Sequence, residues 1–360
     1  MNKKTKSLVL KSPRNLEIQE FELPKIGSKD LLMKVEMVGC GGAVDRYTGM
    51  SIWSPPYPLI MGHEVVGYVQ EMGNEAAKIY NVNLGDRICV EPYFSCLHCK
   101  YCRNGYYHLC PDRKVYGTSI SCKEPPHLWG GFGEHLFVAP GSNVHKIPKE
   151  VPAKAACLSS LIGNGVRHVK INAKVKFKES VIIAGGGGSQ GLACVVAAAE
   201  SGADPIIVLS LTKDRKGSEL AKEFGAHFVV YVDKCDPLKA VAEITNGNMG
   251  DVFIECTGNP EMEALGVDLL APRGRFIMVG MPTGEKMTFL PISKLVRKEI
   301  TIHGSLGQAE GVEDAIKIIN SGKYNIDKMI THTFPLEKGE EALEFFSNRS
   351  PECIKIALIP

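Results

Sequence analysis

Four cysteines in the segment CLHCKYCRNGYYHLC are the strongest chemical signal in this sequence. Cys96, Cys99, Cys102 and Cys110 are separated by two, two and seven residues. Four thiolates on one short segment can close a tetrahedron around Zn²⁺ with no open position, as structural zinc sites do. An iron–sulfur cluster is the rival interpretation, but the last gap of seven residues and the lack of a second cysteine cluster disfavour it. The spacing predicts a structural zinc lobe over residues 94–112.

A second set of candidate metal ligands consists of Cys40 in CGGAVDRYTG and His63 with Glu64 in MGHEVVGYV. A catalytic zinc needs about three protein ligands and one open position for water or a substrate oxygen. Alone, the Gly-His-Glu triplet is weak evidence, and Cys40 could equally be a small apolar residue in a tight turn. The two segments together, upstream of the cysteine lobe, make a catalytic zinc site the hypothesis to test.

A glycine run follows the apolar strand VIIA, Val181–Ala184. In two alternative registers the run reads Gly185-x-x-Gly188-x-x-Gly191 or Gly186-x-Gly188-x-x-Gly191. Glycines between a strand and a helix let the backbone approach a pyrophosphate, which rests on the exposed N–H groups at the helix N-terminus. Because the run opens a series of alternating strands and helices, it predicts a dinucleotide site.

The residues after the second strand of that series bear on which dinucleotide binds. An acid at the end of this strand would bind the ribose 2′-hydroxyl of NAD. Ser210 stands there instead, with Lys213, Arg215 and Lys216 just beyond. A small hydroxyl and nearby cations suit a 2′-phosphate, so NADP(H) is favoured over NAD(H). The alternatives are that these cations simply begin a solvated helix and that Asp214 serves NAD.

Two kinds of segment must position these residues. The first 150 residues contain short alternating or apolar runs between Gly and Pro, which predicts a β-rich domain. From about residue 180, six apolar strands alternate with helices, which predicts an α/β domain with a doubly wound parallel sheet, a Rossmann fold. The tail adds a helix and a last strand, CIKIALIP, that could return to the first domain. The predicted strands are 181–184, 206–209, 228–232, 251–255, 275–280 and 299–304.

Length and composition restrict the classes of protein that the chain can represent. A chain of 360 residues predicts two domains. With 42 basic against 40 acidic residues, the net charge of +2 argues against a general nucleic-acid or membrane-surface binder. No signal peptide or membrane span is evident, which predicts a cytoplasmic protein. Twelve cysteines in a reducing compartment indicate metal ligation rather than a disulfide framework.

The order of these motifs resembles the medium-chain dehydrogenase/reductase family, in its zinc-containing alcohol, polyol and threonine dehydrogenase branch. The resemblance covers almost the whole chain and includes PLIMGHEVVGYV, GDRICVEP, DVFIECTG and THTFPLEKGEEALEFF. It implies a chaperonin-10-like (GroES-like) catalytic domain over 1–156, completed by 312–360, and a nucleotide-binding domain over 157–311. It also implies that Cys40 and His63 are catalytic zinc ligands with the Glu64 carboxylate beside them, and that the protein is a homodimer or homotetramer.

The chain departs from the family pattern at three places. The Ser or Thr that commonly follows the ligand cysteine by two residues is Gly42, and Asp45 stands where a relay histidine is common. The third protein ligand, a Cys or Glu in the family, corresponds to Ser160 or Leu161, neither of which binds Zn²⁺ well. Glu64 or Cys157 could complete the site, or the site could hold metal weakly or not at all. Asp45 could act as a general base through a water, or be a surface acid.

The leading hypothesis is a zinc-dependent oxidoreductase that transfers a hydride between an alcohol or carbonyl substrate and a nicotinamide cofactor. One alternative is an NADPH-dependent reductase of an activated double bond or quinone that lacks the catalytic zinc. Another is a nucleotide-responsive protein without catalytic activity. Tyr47, Trp53 and Trp129 are candidate pocket-lining aromatic residues, with ordinary packing as the alternative.

Overall fold

The computed structural model describes residues 3–51, 54–281, 287–348 and 350–360. The chain divides into two compact units, one formed by Met1–Ser160 with Ile316–Pro360 and the other by Leu161–Ala315. None of the helices in the described ranges has the length and apolar character needed to cross a membrane. All twelve cysteines are free thiols.

The N-terminal part of the chain is built mainly from strands. Its elements are β1 (Lys4–Ser12), β2 (Asn15–Glu22), β3 (Leu31–Gly39), α1 (Ala43–Thr48), β4 (Leu59–Ile60), β5 (Glu64–Met72), α2 (Ala76–Tyr80), β6 (Arg87–Phe94), α3 (Lys100–Arg103), β7 (Lys114–Val115), β8 (His135–Val138), β9 (Ser142–Lys146) and α4 (Ala153–Cys157).

The middle of the chain alternates helices and strands. Its elements are α5 (Ser159–Val166), a π-helical turn (Arg167–Asn172), β10 (Val181–Ala184), α6 (Ser189–Glu200), β11 (Ile206–Ser210), α7 (Arg215–Glu223), β12 (Phe228–Tyr231), α8 (Pro237–Ile244), β13 (Gly250–Glu255), α9 (Pro260–Leu269), β14 (Leu270–Met278), α10 (Ile292–Lys298), β15 (Thr301–Gly304) and α11 (Val312–Asn320). The C-terminal elements are β16 (Ile330–Pro335), α12 (Gly339–Ser347) and β17 (Lys355–Ile359).

The first unit contains two sheets, one of three strands in the order β2-β1-β4 and one with the path β16-β17-β3-β5-β6-β7. β17 pairs antiparallel with β3, so the last strand returns to the sheet of the N-terminal segment, as the sequence predicts. The core between these strands is apolar and contains Val38, Val65, Phe132 and Leu358. This pairing brings the C-terminal strand β17 beside the end of β3.

The second unit contains a six-stranded sheet in the order β12-β11-β10-β13-β14-β15, in which every pairing is parallel. The predicted doubly wound sheet is therefore correct. β10 has its predicted bounds, and α6 is followed by Gly202 with a φ of 72°. β14 begins at Leu270, earlier than predicted, because Leu270 pairs with Gly250 before an irregularity that ends at Arg275.

Candidate metal and nucleotide sites

The four cysteines of the predicted zinc lobe come together in the structure. Their ligand atoms all lie within 4.8 Å of one another. The Sγ–Sγ distances are 3.5 Å for Cys99–Cys102, 3.5 Å for Cys96–Cys110 and 3.9 Å for Cys96–Cys102. A tetrahedron with Zn–S bonds of about 2.3 Å has S–S edges of about 3.8 Å, so the thiols fit a single zinc ion. In a [4Fe–4S] cluster each thiolate would bind a different iron and would need wider spacing.

Backbone groups of the lobe orient its sulfur atoms. The N–H of Cys99 donates to Cys96 Sγ at 3.4 Å, and the N–H of Cys102 donates to Cys99 Sγ at 3.5 Å. A backbone hydrogen bond at His98 helps lower the pKa of Cys96 to about 6, which favours the thiolate needed for a metal ligand. Burial instead raises the pKa of Cys110 to about 12.

The sheet register brings the backbones of Cys40 and His63 to the same end of one strand pair. Gly39, the last residue of β3, pairs with Glu64, the first residue of β5, in an antiparallel ladder. The residues that follow Gly39 and precede Glu64 therefore leave the ladder together, and these are Cys40 and His63. The Cys40 side chain is fully buried, and its backbone N–H donates to Ile356 O at 3.1 Å.

The glycines around Cys40 make room for a carboxylate. A Cβ at Gly39 would lie 2.3 Å from Glu64 Oε2, and a Cβ at Gly41 would lie 2.3 Å from Glu64 Oε1. Both distances are far below van der Waals contact, so a larger residue at either position would displace Glu64. The glycines flanking Cys40 thus serve the packing of Glu64 rather than a turn alone.

Glu64 forms a buried ion pair with Lys355 of β17. Lys355 Nζ donates a hydrogen bond to Oε1 at 3.1 Å and lies 2.8 Å from Oε2, outside hydrogen-bond geometry. The side chains are 3% and 7% exposed for Lys355 and Glu64, respectively, so water barely screens the pair. Sequence reasoning missed Lys355. A single charged residue in the otherwise apolar strand β17 was a signal for a buried charge that needs a partner.

Burial keeps the two predicted ligands uncharged in the absence of a metal. Burial lowers the pKa of His63 to about 4, with Glu64 opposing this effect and Arg46 and Lys355 adding to it. Burial likewise raises the pKa of the Cys40 thiol far above its usual value. His63 Nδ1 is buried without a hydrogen-bond partner. A neutral imidazole with an unpartnered nitrogen is a suitable metal ligand.

The structure does not supply a third ligand at this place. Among the described residues, the cysteine lobe is the one group of three or more Cys, His, Asp or Glu ligand atoms within 4.8 Å of one another. Ser160 and Leu161 lie in α5 and are almost fully buried. Cys157 donates from Sγ to the backbone oxygen of Glu64 at 3.2 Å. Cys40 and His63 therefore fit a metal as two ligands, and Glu64 and Cys157 are the nearby candidates for a third.

The segment after Cys40 explains why Gly42 stands where a Ser or Thr is common in the family. Gly42 has a φ of 59°, and a Cβ there would lie 3.2 Å from Arg46 Nη1. The Arg46 guanidinium therefore crowds the space in which a Ser or Thr side chain would begin. Asp45 is exposed in the first turn of α1. Sequence reasoning also missed Arg46, whose neighbours gave no local signal.

The predicted aromatic residues are ordinary packing where the structure describes them. The Tyr47 hydroxyl donates to Glu344 Oε1 at 2.8 Å. Trp129 Nε1 donates to Glu124 O at 2.8 Å, and its ring stacks on Phe94. Trp53 lies outside the described residues.

The glycine run forms a tight turn between β10 and α6. A Cβ at Gly185 would lie 2.8 Å from Thr257 Cγ2, one at Gly186 would lie 2.5 Å from Val208 Cγ1, and one at Gly191 would lie 2.3 Å from Gly185 O. Gly188 precedes α6 and provides no side-chain cap, so the first N–H groups of that helix are available to a phosphate. Gly217 of α7, which sequence reasoning missed, is needed too, because its Cβ would lie 1.8 Å from Gly187 O.

The end of β11 carries hydroxyl groups and no carboxylate. Ser210 is buried and accepts a hydrogen bond from Ser218 Oγ at 2.9 Å. Lys213 is exposed, and Arg215, also exposed, pairs with Glu219 at 2.8 Å. Asp233 of the next loop accepts hydrogen bonds from the backbone N–H and hydroxyl of Thr212.

Comparisons with known proteins match both parts of the chain. A family model described as "Alcohol dehydrogenase GroES-like domain" matches residues 27–149, and one described as "Zinc-binding dehydrogenase" matches residues 191–321. L-threonine 3-dehydrogenase of Pyrococcus horikoshii is 35% identical over 335 residues, which cover 91% of each chain.

Two solved structures are similar over nearly their full length. An alcohol dehydrogenase of Thermotoga maritima has a TM-score of 0.89 at 28% identity and covers 99% of this chain and 100% of its own. A putative zinc-binding dehydrogenase of Sinorhizobium meliloti, bound to NADP, has a TM-score of 0.88 at 25% identity, with the same coverage of 99% and 100%.

Proposed function

Because the chain belongs to the zinc-containing medium-chain dehydrogenase/reductase family, we propose that its substrate is a small alcohol, oxidised with NADP⁺ at a zinc site that contains Cys40 and His63. The predicted family, its GroES-like and Rossmann folds and its activity as a zinc-dependent, NAD(P)-dependent alcohol oxidoreductase are confirmed. The zinc ligands, the choice of nucleotide and the substrate are parts of the proposal.

The observation that carries the proposal is the pairing of Gly39 with Glu64. It supports the proposal because the residue after Gly39 is a cysteine and the residue before Glu64 is a histidine, and because glycines on both sides of Cys40 leave room for a carboxylate. Thiolate and neutral imidazole are ligands that zinc accepts in catalytic sites. Zinc bound there would polarise the substrate oxygen and favour the alkoxide.

The protein's own groups have separate roles in the proposed reaction. Cys40 and His63 hold the metal, and Lys355 holds the Glu64 carboxylate in position beside them. In the oxidation direction, a bound NADP⁺ would accept the hydride from the substrate carbon and the hydroxyl would lose its proton, which would yield the carbonyl compound, NADPH and a proton. Asp45, exposed on α1, is suited to accept this proton and pass it to water.

Zinc analysis of the wild type and of Cys40→Ser tests the proposal. We expect two zinc ions per wild-type chain and one in the variant, which keeps its fold and its nucleotide binding but loses turnover. Cys235→Ser is the matched control, because Cys235 is exposed and should leave both zinc ions and turnover intact. One zinc in the wild type, or equal turnover in Cys40→Ser, would contradict the proposal and favour the alternative of a reductase without catalytic zinc.

The preference for NADP(H) is supported by the end of β11. No carboxylate side chain stands at the position that would bind the ribose 2′-hydroxyl, and a buried Ser210 takes its place. Lys213 and Arg215 follow within one turn and could neutralise a 2′-phosphate.

A self-associated state, a homodimer or homotetramer, is also part of the proposal. β15 is an edge strand of its sheet among the described residues. Phe289, Ile292 and Val296, which lie in or just before α10, the helix that precedes β15 in the chain, are 83%, 64% and 71% exposed. Exposed apolar side chains and an open strand edge both favour association. The division into a catalytic domain (1–156 with 312–360) and a nucleotide-binding domain (157–311), and a cytoplasmic location, stay predictions.

A further inference from the structure

The Arg46 guanidinium is a largely buried cation that has no ionic partner among the described residues. Arg46 is 8% exposed, and its guanidinium makes one hydrogen bond, from Nη1 to Gly42 O at 2.8 Å. No carboxylate among the described residues lies within 4.0 Å of it. A guanidinium has five N–H donors, so most of them make no hydrogen bond to the described residues. Nε and Nη2 are not among the fully buried atoms that lack a partner, so they reach solvent, where a ligand can meet them. Burying an uncompensated charge is costly, which indicates that a ligand supplies the counter-charge.

The other charges near Arg46 do not compensate it. Lys355 and Glu64 neutralise each other in their own ion pair. Asp45 attracts the guanidinium, but its exposed side chain forms no ion pair with it. The Tyr57 hydroxyl donates to the backbone oxygen of Arg46 at 3.4 Å and leaves the guanidinium free. The cluster of Arg46, Lys355 and Glu64 therefore carries one excess positive charge.

Arg46 lies beside the proposed zinc site. Its Nη1 contacts the backbone of Gly42, which is two residues after Cys40, and its charge acts on the His63 imidazole. The glycine at position 42 leaves the space beside the guanidinium open, since any Cβ there would lie 3.2 Å from Nη1. An anionic group of a substrate whose hydroxyl lies near Cys40 and His63 could reach this charge.

We infer that Arg46 is a specificity-determining residue that binds the carboxylate of a small hydroxy acid, so that the preferred substrate carries its hydroxyl two or three carbons from a carboxylate. The inference rests on the proposed function, because it places the hydroxyl at Cys40 and His63. A planar carboxylate can accept two parallel hydrogen bonds from one guanidinium, which gives both affinity and orientation. An uncharged alcohol would leave the guanidinium unpaired.

The test compares 3-hydroxybutyrate with its uncharged amide, 3-hydroxybutyramide, in the wild type, Arg46→Gln and Arg46→Lys. We expect the wild type to show a kcat/KM for the acid at least about tenfold above that for the amide. The ratio should fall to about one in Arg46→Gln and take an intermediate value in Arg46→Lys, which keeps the charge without the planar fork. Arg273→Gln is the matched control, because Arg273 is exposed and its contact with Glu299 is 3.9 Å long.

The outcomes separate this inference from the proposed function. If the wild type oxidises the amide and 2-butanol with the same kcat/KM as the acid, the inference is overturned and the proposed function stays intact. If no alcohol is oxidised, the proposed function fails, and calorimetric binding of 3-hydroxybutyrate against its amide decides the inference. Equal binding would overturn it. If Arg46→Gln does not fold, competitive inhibition of the wild type by butyrate must exceed that by butyramide, and equal inhibition would overturn the inference.

Discussion

Glu64 illustrates how one side chain can depend on residues from distant parts of the chain. Its carboxylate fits between the backbones of Gly39 and Gly41 and is neutralised by Lys355, which lies 291 residues further along the sequence. A buried ion pair adds little net stability when complete, but breaking it leaves an uncompensated charge in the interior. The pair therefore serves to hold the carboxylate beside Cys40 and His63.

Replacing Lys355 with Met should destabilise the metal-free protein by about 3 kcal/mol, because Glu64 would be left buried without a counter-charge. Urea denaturation of the metal-free protein measures this change. Lys338→Met is the matched control, since Lys338 pairs with Glu341 on the surface and should change stability by less than about 0.5 kcal/mol. Adding Glu64→Gln to Lys355→Met should restore much of the loss. If Lys355→Met and Lys338→Met lower the free energy of unfolding equally, Lys355 does not compensate a buried charge on Glu64.

Ser210→Asp should reverse the proposed cofactor preference. A carboxylate at the end of β11 would accept hydrogen bonds from a ribose 2′-hydroxyl and repel a 2′-phosphate. We expect NADPH to bind at least about tenfold more weakly and NADH more tightly than in the wild type, measured by fluorescence titration of both nucleotides. Tighter binding of NADH than of NADPH by the wild type itself would show that the NADP(H) preference is wrong.

The π-helical turn after α5 and the loop after β15 are joined by hydrogen bonds among the buried His168 and the partly buried Asn172 and Ser305. His168 Nδ1 lies 2.5 Å from Ser305 Oγ, and Asn172 Nδ2 donates to the same oxygen at 2.6 Å. Ser305 follows the carboxyl end of β15, and ligands of doubly wound sheets bind at this edge. The turn therefore positions a loop at the carboxyl edge of the sheet.

The stability of this junction should decrease on acidification. Burial lowers the pKa of His168 to about 3, whereas in the unfolded chain a histidine has its ordinary value of 6.5. The unfolded state thus takes up a proton that the folded state excludes, so the contribution of His168 is complete above pH 6.5 and is lost as the pH falls towards 3.

Hydrogen-exchange protection factors over Arg167–Asn172 report this effect in the wild type and in His168→Gln. We expect the wild type to be better protected at pH 7, and the difference to shrink as the pH is lowered. A difference that stays constant with pH would contradict the proposed role of the neutral imidazole.

Net charge and exposed apolar surface determine whether copies of the chain associate. A net charge of +2 provides little electrostatic repulsion between copies of the chain. Edge strands with open hydrogen-bonding groups pair readily when apolar side chains lie beside them. The second unit has both features: β15 is an edge strand among the described residues, and Phe289, Ile292 and Val296 are exposed in the segment that precedes it in the chain.

Val296→Glu should therefore weaken self-association. A charge in the middle of an apolar interface has to be desolvated, so we expect the elution volume and light-scattering mass to shift towards the monomer. Leu84→Glu is the matched control, because Leu84 is also exposed, at 63%, but lies in the first unit. A wild type that is already monomeric, or a variant with an unchanged mass, would contradict the proposed surface.

Motifs whose residues are neighbours in the sequence are also local features of the structure. The cysteine lobe closes within 15 residues, from Cys96 to Cys110, and the glycine turn connects β10 directly to α6. Such motifs depend on local spacing and on which backbone conformations glycine permits. The alternation of apolar strands and helices likewise determined the parallel sheet.

The sequence by itself determined the family, the two folds, the cysteine cluster and the glycine turn, because each is encoded by local pattern. The tertiary structure alone decided that Glu64 pairs with Lys355, that Arg46 is buried beside Gly42, and that Gly217 packs on the glycine turn. These contacts depend on the register between β3, β5 and β17 and on how α7 packs, and no periodicity within a single segment records them.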